Sequence, residues 1–425
     1  MDGFIKKTWS LAAVRYLILV ILAAMALVSL IQGVRNAAGS SQDFQWDAAK
    51  ALSIGLDPYD ISTGSGTIPD NTPLADFYRL FTDKGLKQNM EANQFPSLLL
   101  LLIPYTIMNP LAARYAWIIS NLIFTAGIIF LLRRTFLKEA DRDLFIVFML
   151  LMIAGTPYRN QLGVGQHTLF SFFFFLLAVW LEGMYPSPDS NGQGEGKEKD
   201  RKNPALFTAV VICLFICYFK YTLTVPLCLY FVYKKRYPEI ALSAAGHVIL
   251  TAVCAEWLND SFINMIIKPL KVSSALAAEG GLDFGALLNG SALAYVLAFV
   301  VMAVLLVTAL ELPDGMDGEF ISVLTLWSLI ITYHRTYDFF VIVTVLAFFL
   351  GYFGKHPEGG MVSRFLAAGY AITLISVFFV LRIFSESTVS KIVVGTIYYI
   401  FTISLTAAMK TGGRFFCLHR KKDGE

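Results

Sequence analysis

Apolar residues run along this chain in long blocks, each closed by a short polar stretch. A membrane-spanning helix needs about 20 mostly apolar residues. Candidate runs lie near 11–33, 95–109, 111–132, 144–158, 167–182, 205–232, 240–257, 291–312, 320–333, 338–354, 364–381 and 391–409. Several are short, so the pattern predicts roughly ten to thirteen transmembrane helices. All must be helical, because backbone amides find no water partner in lipid. The predicted fold class is therefore all-α, a polytopic membrane protein forming one membrane domain over 1–425.

Four polar stretches punctuate the blocks. Residues 34–94 form a first loop rich in Gly, Pro, Asp and aromatics, too long for a simple connection and so expected to be functional. Residues 183–204 are rich in Ser, Gly, Glu and Lys and read as a solvated linker. Residues 256–290 mix apolar residues with Lys268, Lys271 and a Gly-rich turn, the pattern of a membrane-lying helix in a second long loop. Residues 410–425 form a basic tail with Arg414, Arg420, Lys421 and Lys422.

Composition agrees with this reading. Hydrophobic residues make up 56% and charged residues 15%, against about a quarter charged in soluble domains. The net charge of +3 gives no reason to expect a nucleic-acid partner. The five cysteines show neither a metal-ligand pattern nor a disulfide framework. Cys213 and Cys217 share a helical face and read as small hydrophobes. The N-terminal apolar run follows Lys6 and Lys7 and is longer than a signal-peptide core, so it reads as a retained first span rather than a leader cleaved near Ala37-Ala38-Gly39-Ser40.

Lys6, Lys7 and the basic tail favour cytoplasmic termini, and Lys234-Lys235-Arg236 fits a cytoplasmic loop. Counting the spans in order puts 34–94, 256–290 and 334–337 on the external face. The same count puts Arg133 and Arg134 outside, against the positive-inside bias. Either a segment such as 95–109 or 205–232 is re-entrant or split, or the bias is broken here. No internal repeat is visible, which weakens an inverted-repeat transporter.

Ionisable residues at membrane depth are functional candidates by default. The segment Asp43-Phe44-Gln45-Trp46-Asp47, just after the first span, is acidic, aromatic and extended-looking. Asp43 and Asp47 would share a face on a helix. One of them suits a general base at the membrane surface; the competing reading is a helix-start acid favoured by the dipole after a Ser40 or Ser41 cap. A divalent ion would need a third acidic ligand, and none is evident. Asp57-Pro58-Tyr59 reads as a turn ending the preceding helix.

Three further motifs interrupt apolar runs. Tyr333-His334-Arg335-Thr336-Tyr337-Asp338 offers a guanidinium fork, an imidazole and hydroxyls to a phosphate, or else forms an interfacial aromatic belt with a snorkelling Arg. Lys220, deep in an apolar run, faces either an anionic head group or an intramembrane acid. Gly163-Val164-Gly165-Gln166-His167-Thr168 suggests a close backbone approach or a break between spans. Gln166 and His167 there suit sugar hydroxyls or phosphate, or cap the next helix. Asn93-Gln94-Phe95-Pro96 introduces a span with Pro in its first turn.

In this order the motifs resemble the GT-C membrane glycosyltransferases, specifically the polyprenol-phosphate-mannose-dependent family 87. The resemblance rests on Asp43-Phe44 through Gly55-Leu56-Asp57-Pro58-Tyr59, on Phe95-Pro96-Ser97 with the family's second Pro missing, and on Gly165-Gln166-His167-Thr168 with its Asn replaced. It also rests on Lys220 and on Tyr333 to Asp338. It implies an inverting enzyme of the cell membrane, with its site on the external face. That enzyme moves a hexose, most simply mannose, from a polyprenyl-phosphate donor to a lipid-linked or cell-envelope glycan acceptor, without a cofactor or required metal. By this analogy Asp43 is the base. His334, Arg335 and Lys220 meet the donor phosphate, and Asp47, Tyr337, Gln166 and His167 position the substrates. Two competing functions are a transporter or lipid flippase, which accounts for the buried cations but not the acidic loop, and an oligosaccharide polymerase or ligase using pyrophosphate-linked donors.

Overall fold

A computed structural model of the 425-residue chain describes residues 12–39, 44–83, 89–184, 203–276, 282–355 and 388–410. The regular secondary structure of the described residues is all helical, with no strand among them. A long α1 (Ala12–Gly39) is followed by three short helices: α2 (Trp46–Ser53), α3 (Pro58–Thr63) and α4 (Pro73–Thr82). Then come α5 (Pro96–Leu99), α6 (Ile103–Thr106), α7 (Pro110–Thr135), α8 (Arg142–Ala154), α9 (Thr156–Val164) and α10 (Thr168–Glu182). The second half holds α11 (Pro204–Cys217), α12 (Tyr221–Leu227), α13 (Leu229–Tyr233), α14 (Tyr237–Trp257) and α15 (Phe262–Leu276). It ends with α16 (Phe284–Leu287), α17 (Ala292–Glu311), α18 (Asp317–Ile331), α19 (Val343–Lys355) and α20 (Thr388–Lys410). The predicted linker, the span at 364–381 and most of the basic tail lie outside the described residues.

Helix starts follow from local chemistry. Asn109, Asp141 and Asn203 accept hydrogen bonds from the first-turn amides of α7, α8 and α11, and prolines sit at the first positions of α3, α5, α7 and α11. These residues satisfy or remove donors that a helix leaves unpaired. At the centre of the bundle is α18, with every residue from Phe320 to Ile331 buried except the half-buried Trp327. A helix apolar on all sides belongs inside such a bundle. By contrast α1 turns Leu17, Val20, Leu27 and Ile31 outward, as a helix facing lipid would.

By length and composition alone, five helical stretches among the described residues could cross a membrane, or up to six if α9 and α10 count as one bent span; one of the five, Pro204–Leu227, contains a reversal at Lys220. This is fewer than the ten to thirteen expected. Helices such as α8, with 13 residues, reach only about 20 Å at 1.5 Å per residue, and hydropathy blocks do not reveal where a helix stops. The 95–109 block is split into short pieces, the longest apolar stretch being Pro96–Thr106, too short to cross.

The 205–232 block doubles back. Thr224 Oγ1 donates to the Cys217 carbonyl at 2.9 Å, although seven residues of straight helix would separate them by about 10 Å. The Lys220 amide meets Ser171 Oγ near the start of α10. At the other end of that helix, Lys234 and Arg236 reach Glu182. The segment therefore rises from Pro204 to Lys220 and returns, with Lys220 at its apex.

Because 95–109 does not cross, α7 runs away from the first loop. Arg134 and Lys138 then line one cavity with Lys234, Glu182 and Asp317. The basic clusters gather at the end of the bundle opposite the first loop.

At the first-loop end, residues 44–82 pack as a helical cap whose Phe44, Trp46, Tyr59, Leu74 and Phe77 share one core with Leu98, Trp117, Phe219 and Met265 of the later helices. The extended reading of 43–59 is thus corrected to helix from Trp46 onward. Asp57-Pro58-Tyr59 starts a helix rather than ending one: Asp57 caps α3 by accepting from the Tyr59 and Asp60 amides.

Candidate active site

The site is built where α9 and α10 meet at a bend of 112°. Gly165 closes α9 with φ +75°, a left-handed conformation that L residues disfavour. At Gly163 an added Cβ would lie 3.2 Å from Asn36 Cβ, so α9 and α1 approach closely there. The bend is pinned from both sides: Trp117 Nε1 donates to the Gly165 carbonyl at 2.7 Å, and Gln161 Nε2 donates to the Gln166 carbonyl at 2.6 Å. His167 is fully buried and does not cap α10 through its side chain. Its Nε2 meets the Phe44 carbonyl at 3.0 Å, and Phe44 stacks on Trp117 at 4.8 Å. The first loop is thereby anchored to the bend.

The apex of the doubled-back segment enters the same space. Lys220 has non-helical angles (φ −103°, ψ 62°), which turn its side chain out of the hairpin. Its Nζ lies 3.2 Å from Gln166 Oε1 and 3.4 Å from Asp338 Oδ1, and 5.6 Å from the Tyr337 ring centroid. Gln166 Nε2 in turn donates to Tyr337 OH at 3.2 Å.

Asp338 is the hub of this network. Thr168 Oγ1 donates to it at 2.5 Å, His334 Nδ1 lies 3.0 Å away, and the Arg335 amide donates at 3.4 Å. A buried carboxylate is tolerated only when its lone pairs are met in this way. His334 is fully buried, its other nitrogen 3.1 Å from Thr332 Oγ1. Arg335 is half-buried and its Nε donates to Tyr333 OH. Gln166, Lys220, His334, Tyr337 and Asp338 are thus gathered from three separate motifs, and Arg335 stands at their edge.

The acidic pair of the first loop is resolved in half. Asp43 lies outside the described residues. Gln45 has φ +59° and α2 begins at Trp46, so Asp47 is the first-turn acid and no continuous helix joins it to Asp43. Asp47 is buried and accepts from Tyr78 OH at 2.6 Å. Burial, then the Asp47 charge, pushes the Tyr78 phenol well above its usual range, so Tyr78 stays a donor.

Two groups escaped the sequence reading as site residues. Lys268 Nζ lies 2.7 Å from Asp57, 2.8 Å from Asp60 and 2.7 Å from Asp260. Asp283 is 1% exposed and caps α16, and among the described residues its Oδ2 meets no hydrogen-bond donor at ordinary distance and angle. Burial raises its carboxyl above the usual value, against the pull of the Ala286 amide and of nearby His334. An Asp before a short helix was the only sequence signal for it. Among the described residues no group of three or more His, Cys, Asp or Glu is arranged to hold a metal ion.

The model for glycosyltransferase family 87 matches residues 96–310, which include Gln166, His167, Lys220 and Lys268. No curated protein and no solved structure matches the chain.

Proposed function

The chain belongs to glycosyltransferase family 87, and from that premise we propose that it moves a hexose, most simply mannose, from a polyprenyl-phosphate donor to a lipid-linked or cell-envelope glycan acceptor. The observation that carries this reading is the meeting of two chemistries. Lys220, paired with Asp338 in the polar network, immediately precedes Tyr221, and Tyr221 lines an apolar groove of about 530 Å³. The groove runs between the returning arm α12–α13 and α14, with Tyr218, Val225, Leu229, His247 and Val248 on its walls. A phosphate at the network and an isoprenoid chain in the groove would satisfy both.

In the proposed reaction the acceptor hydroxyl attacks the anomeric carbon from the face opposite the phosphate. The new glycosidic C–O bond forms as the bond to phosphate oxygen breaks, inverting the carbon. The hydroxyl proton passes to a first-loop carboxylate, Asp43 by analogy, and polyprenyl phosphate departs with the electron pair. Lys220 and the Arg335 fork offset the charge that builds on the departing phosphate. His334 acts from behind, because both its nitrogens already face Asp338 and Thr332. Gln166, Tyr337, His167 and Asp47 set the sugar-side geometry. Family membership sets aside transport as the sole function. The site is proposed to open on the external face, with both termini cytoplasmic.

The test is transfer of radiolabelled mannose from polyprenyl-phosphate-mannose by protein purified into lipid nanodiscs. Turnover competed by polyprenyl monophosphate supports the reading. Turnover only with pyrophosphate-linked donors would replace it with a polymerase or ligase.

A further inference from the structure

Helix α15, in the second long loop, presents three different faces. Phe262 and Ile266 line the apolar groove. Met265 and Val272 are buried against the protein, while Ile263, Ile267 and Leu270 point outward. A loop helix with an outward apolar stripe suits the boundary between lipid and water. It is also the wall that the groove presents toward the first loop.

Two sets of contacts hold this wall. Ser273 Oγ lies 3.2 Å from Tyr221 OH and donates to the Asn93 carbonyl at 3.3 Å. This ties α15 to the residue that follows Lys220. The second set is Lys268. Its ammonium is shared by Asp57 and Asp60 of the first loop and by Asp260 just before α15, all within 2.8 Å. Burial works against the charged amine, but the three carboxylates outweigh it and raise Lys268 above its usual range. One side chain thus joins the cap to the groove wall.

We propose that Lys268 is a positioning residue for the lipid-linked donor: its ion cluster with Asp57, Asp60 and Asp260 fixes α15 against the first loop and so sets how the donor's chain is seated beside Lys220. The proposal rests on the donor reading given above. Lys268 touches neither the phosphate network nor the reacting atoms, so its loss acts on donor binding and spares the chemical step. Removing the ammonium leaves three carboxylates repelling one another across the joint between cap and wall.

The experiment compares wild type, Lys268→Met and Lys268→Arg in nanodiscs, with donor and acceptor varied separately and thermal midpoints recorded. Lys268→Met is expected to raise the donor KM roughly tenfold, with kcat and the acceptor KM within about twofold, the pattern of lost uniform binding. Lys268→Arg, which keeps the charge, is expected to restore most of the donor KM. An unchanged donor KM in Lys268→Met overturns the proposal, and so does a fall in kcat alone. If Lys268→Met does not fold, Asp60→Asn removes one partly exposed partner and is expected to raise the donor KM about two- to threefold. No rise there overturns it equally. Absence of transfer from any polyprenyl-phosphate sugar in wild type would instead sink the donor reading.

Discussion

Lys220 Nζ stands 3.4 Å from Asp338 Oδ1, with both side chains almost closed off from their surroundings. The pair joins the apex of a doubled-back segment to the start of the helical stretch leading into α19. Breaking such a buried pair by removing one partner costs about 3–5 kcal/mol, because the other charge is left without compensation. Asp338→Asn and Lys220→Met are therefore each expected to lower the unfolding midpoint sharply in detergent. The double variant should recover much of that loss without recovering transfer. Equal stability of all three proteins would show that the pair carries no structural load.

Arg335 is the cation of the network with the most open surroundings. Arg335→Ala is expected to weaken donor binding roughly tenfold or more, and Arg335→Lys to repair it only partly, because an ammonium lacks the planar fork. Binding of polyprenyl phosphate to the two variants is the measurement. Unchanged affinity in Arg335→Ala would remove Arg335 from the phosphate site.

If Asp43 takes the acceptor proton, Asp43→Asn should lose about 10²–10⁴-fold in kcat while still binding donor. Loss of binding together with kcat would make its role structural. Tyr78→Phe tests the other carboxylate. It removes the 2.6 Å hydrogen bond to Asp47 and should cost about 1–3 kcal/mol of stability, a buried acceptor having lost one of its donors.

Asp283 gives a prediction in pH. Burial holds its folded-state carboxyl above the ordinary aspartate value, so the folded protein binds this proton more tightly than the unfolded chain. Stability from this group is therefore greatest below the unfolded value and declines as pH rises through the folded one. Asp283→Asn keeps a competent helix cap and removes the buried charge. It should raise the unfolding midpoint at neutral pH, with the gain fading as pH falls toward the unfolded value. A gain that does not depend on pH would mean that the carboxyl titrates alike in the folded and unfolded states.

Local pattern carried much of the architecture. Helices occur at every predicted block that falls within the described residues, because apolar composition and backbone satisfaction are local properties. Gly163 and Gly165 marked a real break, one as a close approach and the other as a left-handed helix end. Pro58 misled for an equally local reason. Proline disfavours a helical residue before it, but it also suits the first turn of a new helix, and Asp57 supplied the cap.

The reversal at Lys220 and the choice of partners were settled elsewhere. Hydropathy cannot distinguish a crossing from a segment that rises and returns, and only the contacts of Lys220, Thr224 and Lys234 reveal the reversal. The sequence also left Lys220 two partners, a head group or an acid, because a buried ammonium requires compensation without specifying its source. Packing of the hairpin against both α10 and α18 brought Asp338 to it. By itself, then, the sequence determined that this is an all-helical membrane protein, where its helices are interrupted, and which residues interrupt them. Tertiary structure decided which of those interruptions meet, because their meeting depends on contacts between distant segments that no local pattern encodes.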